Sequence, residues 1–170
     1  MLDRFIKCAE EFEANTIIRV CADNPFFDLK STLTLSKHLT ENSLDYVGFE
    51  MGQRLPSIKT HIGLWGEAVS LEALKRVGEM TQDIFYREHV TNYIYSHPGL
   101  FNIELIDTPL KLKGRTDLRF TLDTKTDFVL HQHIYEYYHQ HKEVISLIKF
   151  VDSHPEYLEV MKAQIELNSK

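Results

Sequence analysis

Short β-branched runs alternate along this chain with amphipathic stretches of ten residues or more, and that alternation restricts the fold more than any other feature. Leu2, Phe5, Ile6, Ala9 and Phe12 recur at helical spacing, with Lys7, Glu10, Glu11 and Glu13 between them, so residues 2–13 read as a helix. The run "TIIRVC" (16–21) follows as a buried-type strand. A helix over 29–41, a strand "DYVGF", and one or two strands within "SIKTHIGLWGEAVS" come next. Ser70 is placed to cap a helix over "LEALKRVGEM", and "FYREHVTNYIYS" reads as another helix. "FNIELI" and "RFTL" read as strands. Three helices are expected near 125–140, 142–152 and 155–167, the last opening at Pro155. Strands interleaved with helices point to an α/β fold, a mixed β-sheet flanked by helices, rather than a bundle or a sandwich. A length of 170 residues at 43% hydrophobic content suits one domain with a real core, 1–170, in which 142–170 forms a helical tail.

Charge and composition narrow the functional classes. A net charge of −6 argues against a broad nucleic-acid footprint, although a phosphate ligand needs only a few local cations or a divalent metal. No stretch approaches the roughly 18 apolar residues of a membrane span. The start, "MLDRFIKCAEEFE", lacks the apolar core of a signal peptide. Cys8 and Cys21 are two isolated thiols without a CxxC spacing, which fits a reducing compartment, and a cytoplasmic location is the expectation.

Two acids stand out by position. Asp23 lies where the "TIIRVC" strand leaves the core, and Asp123 ends the "RFTL" strand before a helix. Ligands of open α/β sheets collect at the carboxyl ends of strands, and Mg²⁺ takes one or two carboxylates while leaving positions for water and phosphate. An Asp at such a place also serves turns and helix caps. For Asp123 the cap is supplied without it, because Thr124 with Asp127 three residues on forms a capping-box pattern. Asp28 is read as the N-cap of the helix beginning at Leu29. In "LHQHIYEYYHQH", His131, His133, His139 and His141 are spaced poorly for sharing one ion on a helix, and a solvated face is expected.

The same segments resemble the cytidylyltransferase-like sugar nucleotidyltransferases, in the branch of the spore coat polysaccharide biosynthesis protein SpsF. "IIRVCADNPFFD" looks like that family's I-x-R-x-T-G-D-C-P-L-I-D, and "REHVTNYI" is similar to its R-E-H-V-T-P-Y-I. "GLWGEAVSLEAL" resembles G-L-D-V-E-V-F-S-x-x-A-L, and "RFTLDTKTDF" resembles R-x-T-V-D-T-P-E-D-F. The resemblance implies transfer of a nucleotidyl group, usually from CTP, to a sugar or sugar acid in surface polysaccharide biosynthesis. It implies Mg²⁺ held by Asp23 and Asp123 as metal-binding and catalytic residues. It places Glu67 on the sugar side and Arg87 and His89 near the sugar site or a subunit interface. With the neighbouring strand of the family absent, residues 16–21 become a sheet edge, and a homodimer or larger assembly made partly through that edge is expected, with the family's contact near "REHVT" as a second surface.

Departures from the pattern are informative. Trp65 and Gly66 stand where the family has Asp and Val, which bears on the sugar recognised. By the resemblance the chain begins after the family's first strand and its basic triphosphate loop. The expectation is therefore the C-terminal two-thirds of the fold, with little or no activity alone. "QRLPSIK" (53–59) imitates the missing loop without a strand feeding it. The rival expectation is a non-catalytic sugar-binding or oligomerisation module derived from the family.

Overall fold

The structure is a computed structural model that describes residues 1–109 and 112–168. The chain divides into two compact units that interleave along the sequence. One comprises Met1–Arg19, Lys30–Gly48 and Gly66–Ile106, the other Val20–Leu29, Phe49–Trp65 and Asp107–Lys170.

The first unit carries the sheet. Its elements are α1 (Leu2–Glu11), β1 (Thr16–Arg19), α2 (Leu29–Glu41), β2 (Tyr46–Glu50), β3 (Glu67–Ser70), α3 (Leu71–Met80), α4 (Ile84–Glu88), α5 (Asn92–Ser96) and β4 (Ile103–Asp107), a few end residues of which fall in the other unit. The four strands run in the order β1-β3-β2-β4. Both β1 and β2 pair antiparallel with β3, in registers that set Thr16 against Ser70, Arg19 against Glu67, and Tyr46 against Val69. β1 therefore forms one edge of the sheet. Leu2, Tyr46, Val69, Leu74, Val77 and Ile94 meet in a core against which Phe5 and Ile6 also pack, so α1, α3 and α5 flank the sheet.

Local chemistry accounts for the boundaries. α1 stops at Glu11 because Glu13 turns left-handed (φ 52°) and the Ala14 amide donates to the Ala9 carbonyl at 2.8 Å. Ser70 caps α3 as its position suggested, its Oγ accepting from the Ala73 amide at 3.1 Å. The expected single helix over 85–96 is instead two short helices, α4 capped by Asp83 and α5 after it. The break between them lets both Val90 and Thr91 reach the interior, where the Thr91 hydroxyl has an acceptor.

In the second unit, α6 (Lys125–His141), α7 (Val144–Asp152) and α8 (Pro155–Leu167) pack on one another. Leu130 and Ile134 of α6, Leu147 and Val151 of α7, and Met161 of α8 are buried. α6 opens with the capping box of Thr124 and Asp127 and closes on Lys142 in the left-handed conformation. These three helices lie where the sequence placed them, except that residues 169 and 170 of the expected tail fall outside the described residues.

Three strand assignments change. β1 ends at Arg19, two residues early, so Asp23 sits in the turn beyond it. Within 57–70 a 3₁₀ turn at Ser57–Lys59 precedes a strand confined to Glu67–Ser70. "RFTL" joins no ladder. Its Phe120 amide donates to the His61 carbonyl (2.9 Å) and its Leu122 amide to the Asp23 carbonyl (2.8 Å), so its pairing potential is met by two coil segments. Gly63 makes this possible. With φ of +55°, a Cβ there would lie 2.8 Å from the Phe120 carbonyl carbon and from the Thr121 nitrogen. No described helix is long and apolar enough to cross a membrane.

Candidate functional site

The second unit brings Asp23 and Asp123 onto neighbouring segments. The Leu122–Asp23 backbone bond runs Asp23 beside the residue that precedes Asp123. The Asp23 Oδ1 is buried and has no hydrogen-bond partner, an uncommon condition for a carboxylate oxygen in a folded chain. Asp123 is held asymmetrically. Its Oδ2 accepts from the Thr121 hydroxyl (2.9 Å) and from Arg119 Nη2 (2.9 Å), while its side chain is 37% exposed.

Arg119 organises the residues behind this carboxylate and is only 1% exposed. Its Nε and Nη2 donate to the two oxygens of Asp127 at 2.7 and 2.8 Å, a bidentate pair, and Nη1 meets His61 Nδ1. Asp127 Oδ2 also accepts from the amides of Asp123 (3.1 Å) and Thr124 (2.8 Å). Burial pushes the Asp127 carboxyl up, but the Arg119 guanidinium and these two amides outweigh it and hold the carboxyl at about 2. Asp127 thus has the capping role its spacing suggested, and it also fixes the backbone of Asp123.

Asp23 and Asp123 offer carboxylate oxygens, the ligand type that a hard divalent cation favours. Among the described residues no three His, Cys, Asp or Glu side chains gather as a metal centre on their own. A two-carboxylate site would leave the remaining positions to water and phosphate, as Mg²⁺ sites commonly do.

His131 departs from the expected solvated face. It is buried, its Nε2–H donates to the Arg119 carbonyl at 3.2 Å, and burial pushes its pKa down. The turn of α6 that carries it faces Phe26 and Phe120, whose rings lie 5.3 and 6.5 Å away. His133, His139 and His141 are exposed. The "QRLPSIK" stretch closes on itself at the end of β2. Gly52, Gln53 and Arg54 all have positive φ, and the Arg54 amide donates to Glu50 Oε1 at 3.0 Å.

Glu67, Arg87 and His89 belong to the first unit. Glu67 is 1% exposed and accepts from Arg19 and the Thr91 hydroxyl (2.8 Å) on Oε1, and from the Tyr46 hydroxyl (2.6 Å) on Oε2. Burial, and then the Glu67 charge, push the Tyr46 hydroxyl well above its ordinary pKa. Arg87 pairs with Asp3, and His89 is exposed at the end of α4 with the Phe85 ring 4.6 Å away.

A cytidylyltransferase family model matches residues 1–168. The chain belongs to the cytidylyltransferase family. It is 29% identical over 157 residues to an uncharacterized protein of Methanocaldococcus jannaschii, covering 92% of this chain and 61% of that protein. It is 31% identical over 130 residues to the spore coat polysaccharide biosynthesis protein SpsF of Bacillus subtilis, covering 75% of this chain and 50% of that protein. A cytidylyltransferase structure from Leptospira borgpetersenii superposes with a TM-score of 0.79 at 17% identity, over 92% of this chain and 64% of that one. The α/β fold is thus the family's fold, and the chain spans between half and two-thirds of the length of these relatives. Trp65 is buried with its ring 4.9 Å from Phe49 and acts in packing.

Position at the end of an apolar run singles out Asp23 and Asp123 but not Arg119 and Thr121. Their signal was nevertheless present. In "RFTLD", residues 119, 121 and 123 alternate, and alternate residues of an extended segment share one side.

Proposed function

We propose that this chain carries the metal-binding carboxylates of a sugar or sugar-acid cytidylyltransferase acting in surface polysaccharide biosynthesis. The observation that carries the reading is the buried, unpartnered Asp23 Oδ1 on the segment bonded to the one that ends in Asp123. In this reading Asp23 and Asp123 hold Mg²⁺, which when bound would offset phosphoryl charge as a sugar oxygen attacks the α-phosphorus of CTP. Asp123 enters with its orientation fixed from behind by Arg119, Thr121 and Asp127. Glu67, saturated by three donors, contributes to the sugar side by fixing Arg19, Tyr46 and Thr91. Arg87 and His89 lie on the surface offered to the sugar or to a second copy. The place of β1 at the end of the strand order adds a reason to expect self-association, because an edge strand can recruit another chain.

Two measurements test the reading. Calorimetric titration with Mg²⁺ should detect a site in the wild type that Asp23→Asn and Asp123→Asn each lose. Pyrophosphate release from CTP with a panel of sugar acids should be slower than about 1 per second for this chain alone, below the range common for enzymes. By the family resemblance, the added length of the relatives holds the triphosphate, and that positioning supplies much of the rate. Unchanged Mg²⁺ binding in both variants would overturn the metal assignment.

A further inference from the structure

An ionised carboxylate can accept hydrogen bonds on both of its oxygens. Asp123 does not. Among the described residues, both side-chain hydrogen bonds that it accepts land on Oδ2, from Thr121 Oγ1 and Arg119 Nη2, each at 2.9 Å. Its backbone is pinned as well, by the 3.1 Å bond from its amide to Asp127 Oδ2. The two donors are themselves buried. Arg119 is 1% exposed and locked bidentately onto Asp127, and Thr121 is 3% exposed.

We propose that Thr121 and Arg119 are positioning residues that clamp Asp123 Oδ2, so that Oδ1 is presented to the divalent cation in one orientation. The inference rests on the metal reading given above. A rotating carboxylate must be ordered when the cation arrives, and ordering it in advance removes that cost from binding. Charge is compatible with this role. One guanidinium serves two carboxylates, so the Arg119–Asp123–Asp127 group keeps a net negative charge for a cation. Asp127 absorbs most of the guanidinium through the bidentate pair, leaving a single Nη2 bond to Asp123.

The alternative is that the Thr121 hydroxyl merely satisfies itself in a buried place. The two readings separate cleanly on substitution. Thr121→Val keeps shape and removes the donor, whereas Thr121→Ser keeps the donor and removes a methyl group.

The probe is Mn²⁺ alone, titrated into the 170-residue chain, with free Mn²⁺ counted by electron paramagnetic resonance. Circular dichroism and Trp65 fluorescence check that each variant is folded. The wild type should bind one ion that Asp23→Asn releases. Thr121→Val should raise the Kd ten- to a hundredfold, the usual effect of losing an outer-shell partner. Thr121→Ser should stay within about threefold of the wild type. Arg119→Lys, where it folds, should weaken binding at least as much as Thr121→Val.

If the wild type binds nothing, or Asp23→Asn binds as well as the wild type, the metal reading fails and the clamp fails with it. If Asp23→Asn loses the ion while Thr121→Val binds like the wild type, the metal reading stands and the clamp is wrong. Equal weakening by Thr121→Val and Thr121→Ser would also overturn the clamp, since it would point to packing rather than to the hydroxyl.

Discussion

Asp127→Asn is the sharpest single perturbation of the second unit. The side chain is 3% exposed and receives two bonds from Arg119 and one each from the Asp123 and Thr124 amides. Its pKa is held at about 2, and that preference for the ionised form corresponds to about 2 kcal/mol. Removing one member of a buried ion pair costs about 3–5 kcal/mol, because the other charge is left uncompensated. Here Arg119 keeps its 2.9 Å bond to Asp123, and an Asn oxygen can still accept from the Thr124 amide, so the lower end applies. The expected loss is about 3 kcal/mol. Asp127→Ala should cost about 1 kcal/mol more, because the capping box goes too. Urea unfolding followed by Trp65 fluorescence is the assay, since this single tryptophan lies in the same unit as Asp127. At slopes of about 1–3 kcal/mol per M the midpoint should move down by about 1–3 M. A loss under about 1 kcal/mol at unchanged slope would show that the pair is nearly neutral against its desolvation, and the account of Arg119 as an anchored group would fall.

Gly63→Ala should destabilise the second unit by about 2 kcal/mol or more, from a left-handed φ and a backbone clash. It should also weaken Mn²⁺ binding by displacing residues 119–123; an unfolding midpoint equal to wild type refutes the close approach. Arg115 donates to Asp117 (2.8 and 3.1 Å) and to Asp152 (2.7 Å), and the guanidinium holds the Asp117 carboxyl below its ordinary range. A carboxyl depressed on folding stabilises fully above its unfolded pKa of about 3.9, and that contribution is lost as pH falls from there through its lower folded pKa. Asp117→Asn should therefore lower the urea midpoint at pH 7, by under about 1 kcal/mol for so open a pair, and lower it less at pH 2.5; an equal shift at both pH values contradicts the linkage. Ile18→Lys should reduce the mass seen by light scattering at micromolar concentration, whereas a wild-type monomer would show that a local element covers the β1 edge.

Several helices were legible because they carry their own start signals. Ser70, the Thr124–Asp127 pair and Pro155 act within one turn, and the structure puts α3, α6 and α8 where those residues said. The strands were less legible because an extended run does not reveal its partner. "RFTL" has the composition of a strand, yet its amides are taken by His61 and Asp23 in coil, an outcome decided by Gly63 more than fifty positions away. The 85–96 helix failed for a similar reason. Thr91 is drawn inward to Glu67, and no periodicity within the segment encodes that distant acceptor.

The site shows the same division. Asp23 and Asp123 could be selected from their positions at the ends of apolar runs, but Arg119 looked like one charged residue in a strand. What makes it more than that is burial, and burial of an arginine is tolerable only where carboxylates meet most of its donors. The two carboxylates that do so stand at i+4 and i+8, one placed at the head of α6 and one inside its first turn. The helix start that Thr124 dictates therefore also builds the anion pocket for Arg119. Once the arginine is seated there, Thr121 and Arg119 together allow Asp123 little freedom at Oδ2. The capping chemistry and the orientation of the candidate metal ligand are thus one network, so a substitution at Thr124 or Asp127 should register at Asp123 without touching a ligand.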